Sequence, residues 1–155
     1  AHKLEEILPL AAAYQTDLVL LLVDEHSHPG STLEEKLVLA DRLRQAALAA
    51  GLPQDRLLFD PVLPNLSWPD AFLQIGATIG AIRLLSSGAF FGEPSRTICG
   101  LSNLRSGQRH LFSLELELTT LGLLAGAGLS LVLLDALQPR LLAQARLLNQ
   151  LQPAR

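Results

Sequence analysis

Four short apolar runs, each closed by a polar side chain and followed by a helical stretch, constrain this chain more than any other feature. The runs are Leu18 to Val23, Arg56 to Phe59, Thr97 to Leu101 and Leu129 to Leu134. They end at Asp24, Asp60, Ser102-Asn103 and Asp135. Each run is nearly continuous in apolar character instead of alternating. Strands of this kind are buried on both faces, the pattern of a parallel sheet covered by helices. The polar ends Asp24, Asp60, Asn103 and Asp135 are 36, 43 and 32 residues apart. Ligands of α/β folds bind at the carboxyl ends of the strands, so these four groups are expected to point into one potential site. The competing reading is that each one starts a turn or caps the next helix.

The intervening stretches read as helices. Residues 3–14 are expected to be helical, with a kink or restart at Pro9. Pro29, Gly30, Ser31 and Thr32 make a turn, and Ser31 with Glu34 and Thr32 with Glu35 both match a capping box. The helix that follows carries Leu33, Leu37, Leu39, Ala40, Leu43, Ala47 and Leu48 on a broad apolar stripe, and Gly51 and Pro53 end it. Pro69 opens a helix to about Leu85, closed by Ser86, Ser87 and Gly88. A long helix is expected from about Arg109 to Leu124, with Gly126 and Gly128 marking its end, and Pro139 opens a last one to about Leu151.

Four strand–helix repeats are half of a (β/α)8 barrel. The chain's 155 residues are too few for a complete one, which needs at least about 200, and doubling them reaches the usual size. An open four-stranded α/β sheet is the alternative. A nucleotide-binding version of it is unsupported, because no G-x-G-x-x-G or Walker sequence follows any strand. With 49% hydrophobic and 17% charged residues, the composition argues against disorder. A net charge of −3 and scattered Arg residues do not form a nucleic-acid-binding surface. The single Cys excludes an internal disulfide framework and fits a reducing, cytoplasmic location. The uncharged stretch Leu118 to Leu134 is broken by Gly122, Gly126 and Gly128 and falls short of the roughly 20 residues of a membrane span, so no membrane partner is expected. Residues 1–8 read as a charged amphipathic helix, not a secretory leader, and with no Met in the sequence the initiator is absent. A mean hydropathy of +0.32 points to surface meant for burial elsewhere.

Two segments carry a family resemblance. One is Leu57-Leu58-Phe59-Asp60-Pro61-Val62-Leu63-Pro64, and the other is Cys99-Gly100-Leu101-Ser102-Asn103. Ala125-Gly126-Ala127-Gly128 and Leu131-Val132-Leu133-Leu134-Asp135 follow them. In order and spacing, from about Asp17 to Asp135, the chain resembles the pterin-binding methyltransferases, which move a methyl group from methyltetrahydrofolate to a corrinoid. That group includes the folate domain of cobalamin-dependent methionine synthase, with dihydropteroate synthase a more distant relative. The resemblance implies that residues 1–155 are the C-terminal half of a TIM barrel whose first half is absent. It also implies that the Asp-Pro and Gly-Leu-Ser-Asn strand ends line a pterin pocket. Tetrahydrofolate would be the methyl donor, and a cobalamin carried by another protein or domain would be the acceptor.

The chemistry suits these residue types. A pterin offers an amide-like edge and an amino group, from which the Asp60 carboxylate can accept two hydrogen bonds. The alternative is that Asp60 only starts the Asp-Pro turn. The methyl leaves N5, which needs a proton or hydrogen bond as its charge changes. Asn103 is the catalytic candidate because a neutral amide can donate or accept there; its alternative is a helix N-cap. Asp24, Asp135 and Arg105 complete the substrate-binding set, Arg105 being the cation that a dihydropteroate synthase-like enzyme would need for pyrophosphate. The two Lys residues, Lys3 and Lys36, both fall in helical stretches.

Other residues carry less. His26 and His28 lack a third ligand and read as a solvated loop, so no metal is expected. Cys99 reads as a small core residue. Trp68 either roofs the pocket or staples the next helix, and Arg109 and His110 either reach the site or lie on the surface. The family's pterin-contacting residues on the first barrel strands have no counterpart here. The chain alone is therefore expected to be inactive or weak, and a methyltransferase once completed. The non-enzymatic alternative is a half-barrel assembly or pterin-carrying module that pairs with the missing half or with itself to cover its edges.

Overall fold

The computed structural model describes residues 3–151; Ala1, His2 and residues 152–155, the two ends of the expected partial barrel, lie outside it. The described chain runs α1 (Leu4–Tyr14), β1 (Leu18–Leu21), α2 (Leu33–Ala49), β2 (Leu57–Asp60), α3 (Ala71–Ser86), β3 (Arg96–Gly100), α4 (Leu114–Ala127), β4 (Leu131–Leu133) and α5 (Pro139–Leu151). Short 3-10 turns occupy Gln54–Arg56 and Leu101–Arg105. The four strands form one parallel sheet in the order β1-β2-β3-β4. The fold is thus α/β, with four parallel strands alternating with helices.

Sequential order decides where the helices go. Right-handed crossovers that always step to the next strand in the same direction put every connecting helix on one face. Consecutive helices accordingly pack side by side, α2 on α3, α3 on α4 and α4 on α5. The ladder pairs Leu21 with Asp60, Leu58 with Arg96 and Gly100 with Leu133, which fixes the facing of every strand residue. Leu20, Leu22, Leu57 and Phe59 point into the helices and pack with Leu39, Ala40, Leu43, Ala47 and Leu85. Cys99 points the same way and packs with Ile82, Leu121 and Leu124. The opposite face carries Val19, Leu21, Leu58, Asp60, Ile98, Gly100, Leu131 and Leu133, and no helix of the described residues packs over it, although Leu58 and Ile98 on the central strands are buried. Val19 is 46% exposed, Leu21 52%, Leu131 45% and Leu133 61%.

Local chemistry explains the element ends. Thr32 Oγ1 accepts the Glu35 N–H at 3.1 Å, while Glu35 Oε2 accepts the N–H groups of Thr32 at 3.3 Å and Ser31 at 2.7 Å. This capping box, of Thr32 with Glu35 and not of Ser31 with Glu34, stabilises the start of α2 by about 1 kcal/mol. Gly51 adopts φ +88° past the helix end, and Leu52 N–H returns to Ala47 O at 3.0 Å.

Three expectations are corrected. Pro9 does not restart α1, which runs from Leu4 to Tyr14 with Pro9 inside it. The Glu5 carbonyl that Pro9 leaves without a donor belongs to an exposed residue and can be hydrated. The helix expected from Arg109 starts instead at Leu114, after Ser113, because residues 106–112 are spent on turns closed by Gln108 N–H to Arg105 O and Phe112 N–H to Gln108 O. The outer strands β1 and β4 are shorter than their apolar runs, each having a neighbour on one side only.

Candidate functional site at the carboxyl ends of the strands

All four polar strand ends lie at one edge of the sheet, yet they do different things. Asp24, Asp60 and Asp135 each accept a backbone N–H two residues ahead. Asp24 Oδ1 takes His26 N–H at 2.8 Å, Asp60 Oδ1 takes Val62 N–H at 2.8 Å, and Asp135 Oδ1 takes Leu137 N–H at 3.0 Å. These are Asx turns, in which a short carboxylate bends the chain out of a strand. Asp24 also accepts His28 N–H at 2.8 Å, and that bond is the main reason its carboxyl sits below its ordinary pKa. Asp135 Oδ2 is taken by Arg109 at 3.3 Å. Both are partly exposed and committed to their own loops.

Asp60 differs. It is 7% exposed, on the bare face of the sheet, and its Oδ2 has no hydrogen-bond partner among the described residues. Burial pushes its pKa up, against the opposing pull of the Val62 N–H and the Lys36 ammonium. A buried carboxylate with one oxygen fixed and one uncommitted is a ready acceptor for paired N–H donors.

Asn103 lies within the 3-10 turn that follows β3. It does not cap α4, which begins further on, at Leu114. A Cβ placed on Gly100 would come 3.5 Å from Asn103 Nδ2. Gly100 shares the bare face with Ile98, so the Asn103 amide folds over that face at the end of β3. No hydrogen bond engages this side chain among the described residues; its backbone carbonyl accepts Asn65 Nδ2 at 3.2 Å. Asn65 Nδ2 also donates to Ser106 O at 2.8 Å, and Leu66 N–H donates to Leu104 O at 2.9 Å. The loop after β2 is thereby fastened to the loop after β3, which fixes Asp60 and Asn103 in one frame.

Arg105 is directed elsewhere. It is 8% exposed, its guanidinium lies 3.7 Å from buried Glu117, and its Nη2 donates to Arg109 O at 3.2 Å. Its Nε is buried without a hydrogen-bond partner among the described residues. Burial raises the Glu117 carboxyl and Arg105 opposes that rise. The cation expected beside Asn103 therefore serves as an internal tie between the loop and α4.

Lys36 is the residue that sequence reading passed over. Its side chain is 0% exposed, and its Nζ donates to Pro61 O at 2.6 Å, with Val62 O at 3.5 Å. Burial lowers its pKa to about 8, opposed by Cys99 were it a thiolate, and by Asp60 and Glu35. The Cys99 thiol is itself pushed well above its ordinary value by burial and stays protonated at neutral pH. Val62 holds φ +56°, a left-handed conformation that costs a β-branched residue about 1–2 kcal/mol. Thr78 Oγ1 also donates to Val62 O, at 3.3 Å. One signal for Lys36 was present: it is three residues after Leu33 and three before Leu39, on the apolar stripe of its helix.

His26 and His28 lie exposed in their loop, and no group of three or more metal-binding side chains occurs among the described residues. Trp68 is 39% exposed, with its carbonyl accepting the Ala71 N–H at the start of α3. No helix of the described residues is long and apolar enough to cross a membrane. No family model matches the chain, and no curated protein matches it.

Proposed function

We propose that these four repeats are the C-terminal half of a (β/α)8 barrel that binds a pterin and, once completed, transfers the methyl group of methyltetrahydrofolate to a corrinoid held by a partner protein or domain. The observation that carries this reading is the placement of Asp60 and Asn103. Both sit at the carboxyl ends of adjacent central strands, on the face that would be the barrel interior, with uncommitted polar atoms. Asp60 Oδ2, with Oδ1 in support, accepts the N–H and amino donors of the pterin edge. Asn103 follows N5. When the methyl group passes to a corrinoid acceptor, N5 would keep the electron pair of the broken N5–methyl bond and take up a proton from solvent, and the Asn103 amide can donate a hydrogen bond to N5 or accept one from its N–H throughout. Asp24 and Asp135 shape the rim through their turns. Arg105 holds the loop that carries Asn103.

The test is equilibrium dialysis of methyltetrahydrofolate against the polypeptide in which these residues naturally occur, alongside its Asp60→Asn variant. Loss of the charge-assisted pair at Asp60 is expected to weaken binding at least about tenfold. Equal affinity of the two proteins would remove Asp60 from the pocket.

A second reading, a non-catalytic assembly module, is favoured by the bare apolar face. A groove of about 380 Å³ along the unpaired edge of β1, between α1 and α2, extends that apolar surface. The dihydropteroate synthase-like reading loses its cation, since Arg105 is committed to Glu117.

A further inference from the structure

We infer that Lys36 is the positioning residue of the Asp60 carboxylate: its ammonium, seated against the Pro61 and Val62 carbonyls, clamps the left-handed turn whose N–H fixes Asp60 Oδ1 and leaves Oδ2 for a ligand. The inference rests on the reading of Asp60 as the pterin-binding carboxylate.

Three side chains converge on this turn from three elements. Asp60 at the end of β2 accepts the Val62 N–H, Thr78 of α3 donates to the Val62 carbonyl, and Lys36 of α2 donates to the Pro61 carbonyl. Without them nothing would favour a positive φ at a valine. The turn directs two successive carbonyls at the same buried position, and an ammonium is the side chain that neutralises both. A lysine serving only as filler would carry its charge to water, as lysines beside apolar surface ordinarily do. Lys36 instead keeps its whole side chain buried. The ionisable groups facing it are Asp60 of β2, Cys99 of β3 and Glu35 of its own helix. Cys99 is neutral, so Asp60 is the buried charge that Lys36 balances across the turn.

The experiment is a carbon-13 NMR titration of the Asp60 carboxyl, paired with methyltetrahydrofolate binding. In the wild-type protein the Asp60 resonance is expected to show an additional step near pH 8, where Lys36 loses its proton. In Lys36→Met that step disappears, the main Asp60 titration moves to higher pH, and pterin affinity at neutral pH falls about tenfold. A wild-type Asp60 resonance with no step anywhere between neutral pH and the ordinary lysine value of 10.5 overturns the clamp, and that measurement needs no variant to fold. Unchanged affinity in Asp60→Asn defeats the pterin reading instead, and the titration step then still decides by itself whether Lys36 senses and holds Asp60.

Discussion

The two faces of this sheet carry the same kind of residue, and on its outer strands they meet opposite fates. On the helix side, Leu20, Leu22, Leu57 and Phe59 are almost wholly removed from water. On the other side, Val19 and Leu21 of β1 and Leu131 and Leu133 of β4 are 45–61% exposed, while Leu58 and Ile98 of the central strands are buried. Hydrophobicity alone does not distinguish the two sets. What differs is that crossover helices can cover only one face when every strand steps the same way. Burial by fold and burial by a partner leave the same signature in sequence.

This comparison can be broken by mutation. The largest effect is expected on the covered face, where Phe59→Ala removes a ring that is 0% exposed and packed against Phe91 at 5.5 Å between centroids. It should cost about 3–5 kcal/mol in urea unfolding; a loss below about 1 kcal/mol would mean the helix layer is not the core. Lys36 gives the next effect, through pH. Its pKa is about 8 in the fold against 10.5 when free, so the unfolded chain binds more protons between those values and stability rises with pH across them. The rise is at most about 3 kcal/mol, and Lys36→Met should abolish it. A pH-independent stability in the wild-type protein would place the ammonium in water. The smallest effect is expected on the bare face. Leu21→Ser with Leu133→Ser should change unfolding free energy by no more than about 0.5 kcal/mol, yet lower the concentration-dependent light scattering of the isolated chain. A large loss of stability there would show that this face is already packed.

The repeat order was legible because each strand is a compact apolar run and each helix start carries turn or cap chemistry, as Thr32 and Glu35 do. The strand-end placement of Asp60 and Asn103 followed from that order. The separate roles of the four ends did not. Asp24 and Asp135 have the same residue type and strand-end position as Asp60, and only burial and unused lone pairs set Asp60 apart. The start of α4 is hidden in the sequence because Leu111 and Phe112 extend the apolar periodicity backwards through a turn. Lys36 does not stand out because a lysine in a helix is ordinarily solvated; what buries it is the left-handed turn at Val62, a conformation that valine does not announce.

The helix α1 bears on how such a sheet could be closed. It precedes the first strand yet belongs to the same layer as α2, with Leu8 and Ala11 in the core beside Leu20 and Leu43. The described residues therefore carry one more helix than strands. If two copies joined edge to edge into a ring, α5 of one and α1 of the other would compete for the same berth over each seam. A complement with four strands and three helices leaves every berth singly filled. In a ring of that kind the outer layer would hold five helices from the described residues, and the eleven-residue α1 is the one that makes them outnumber the strands.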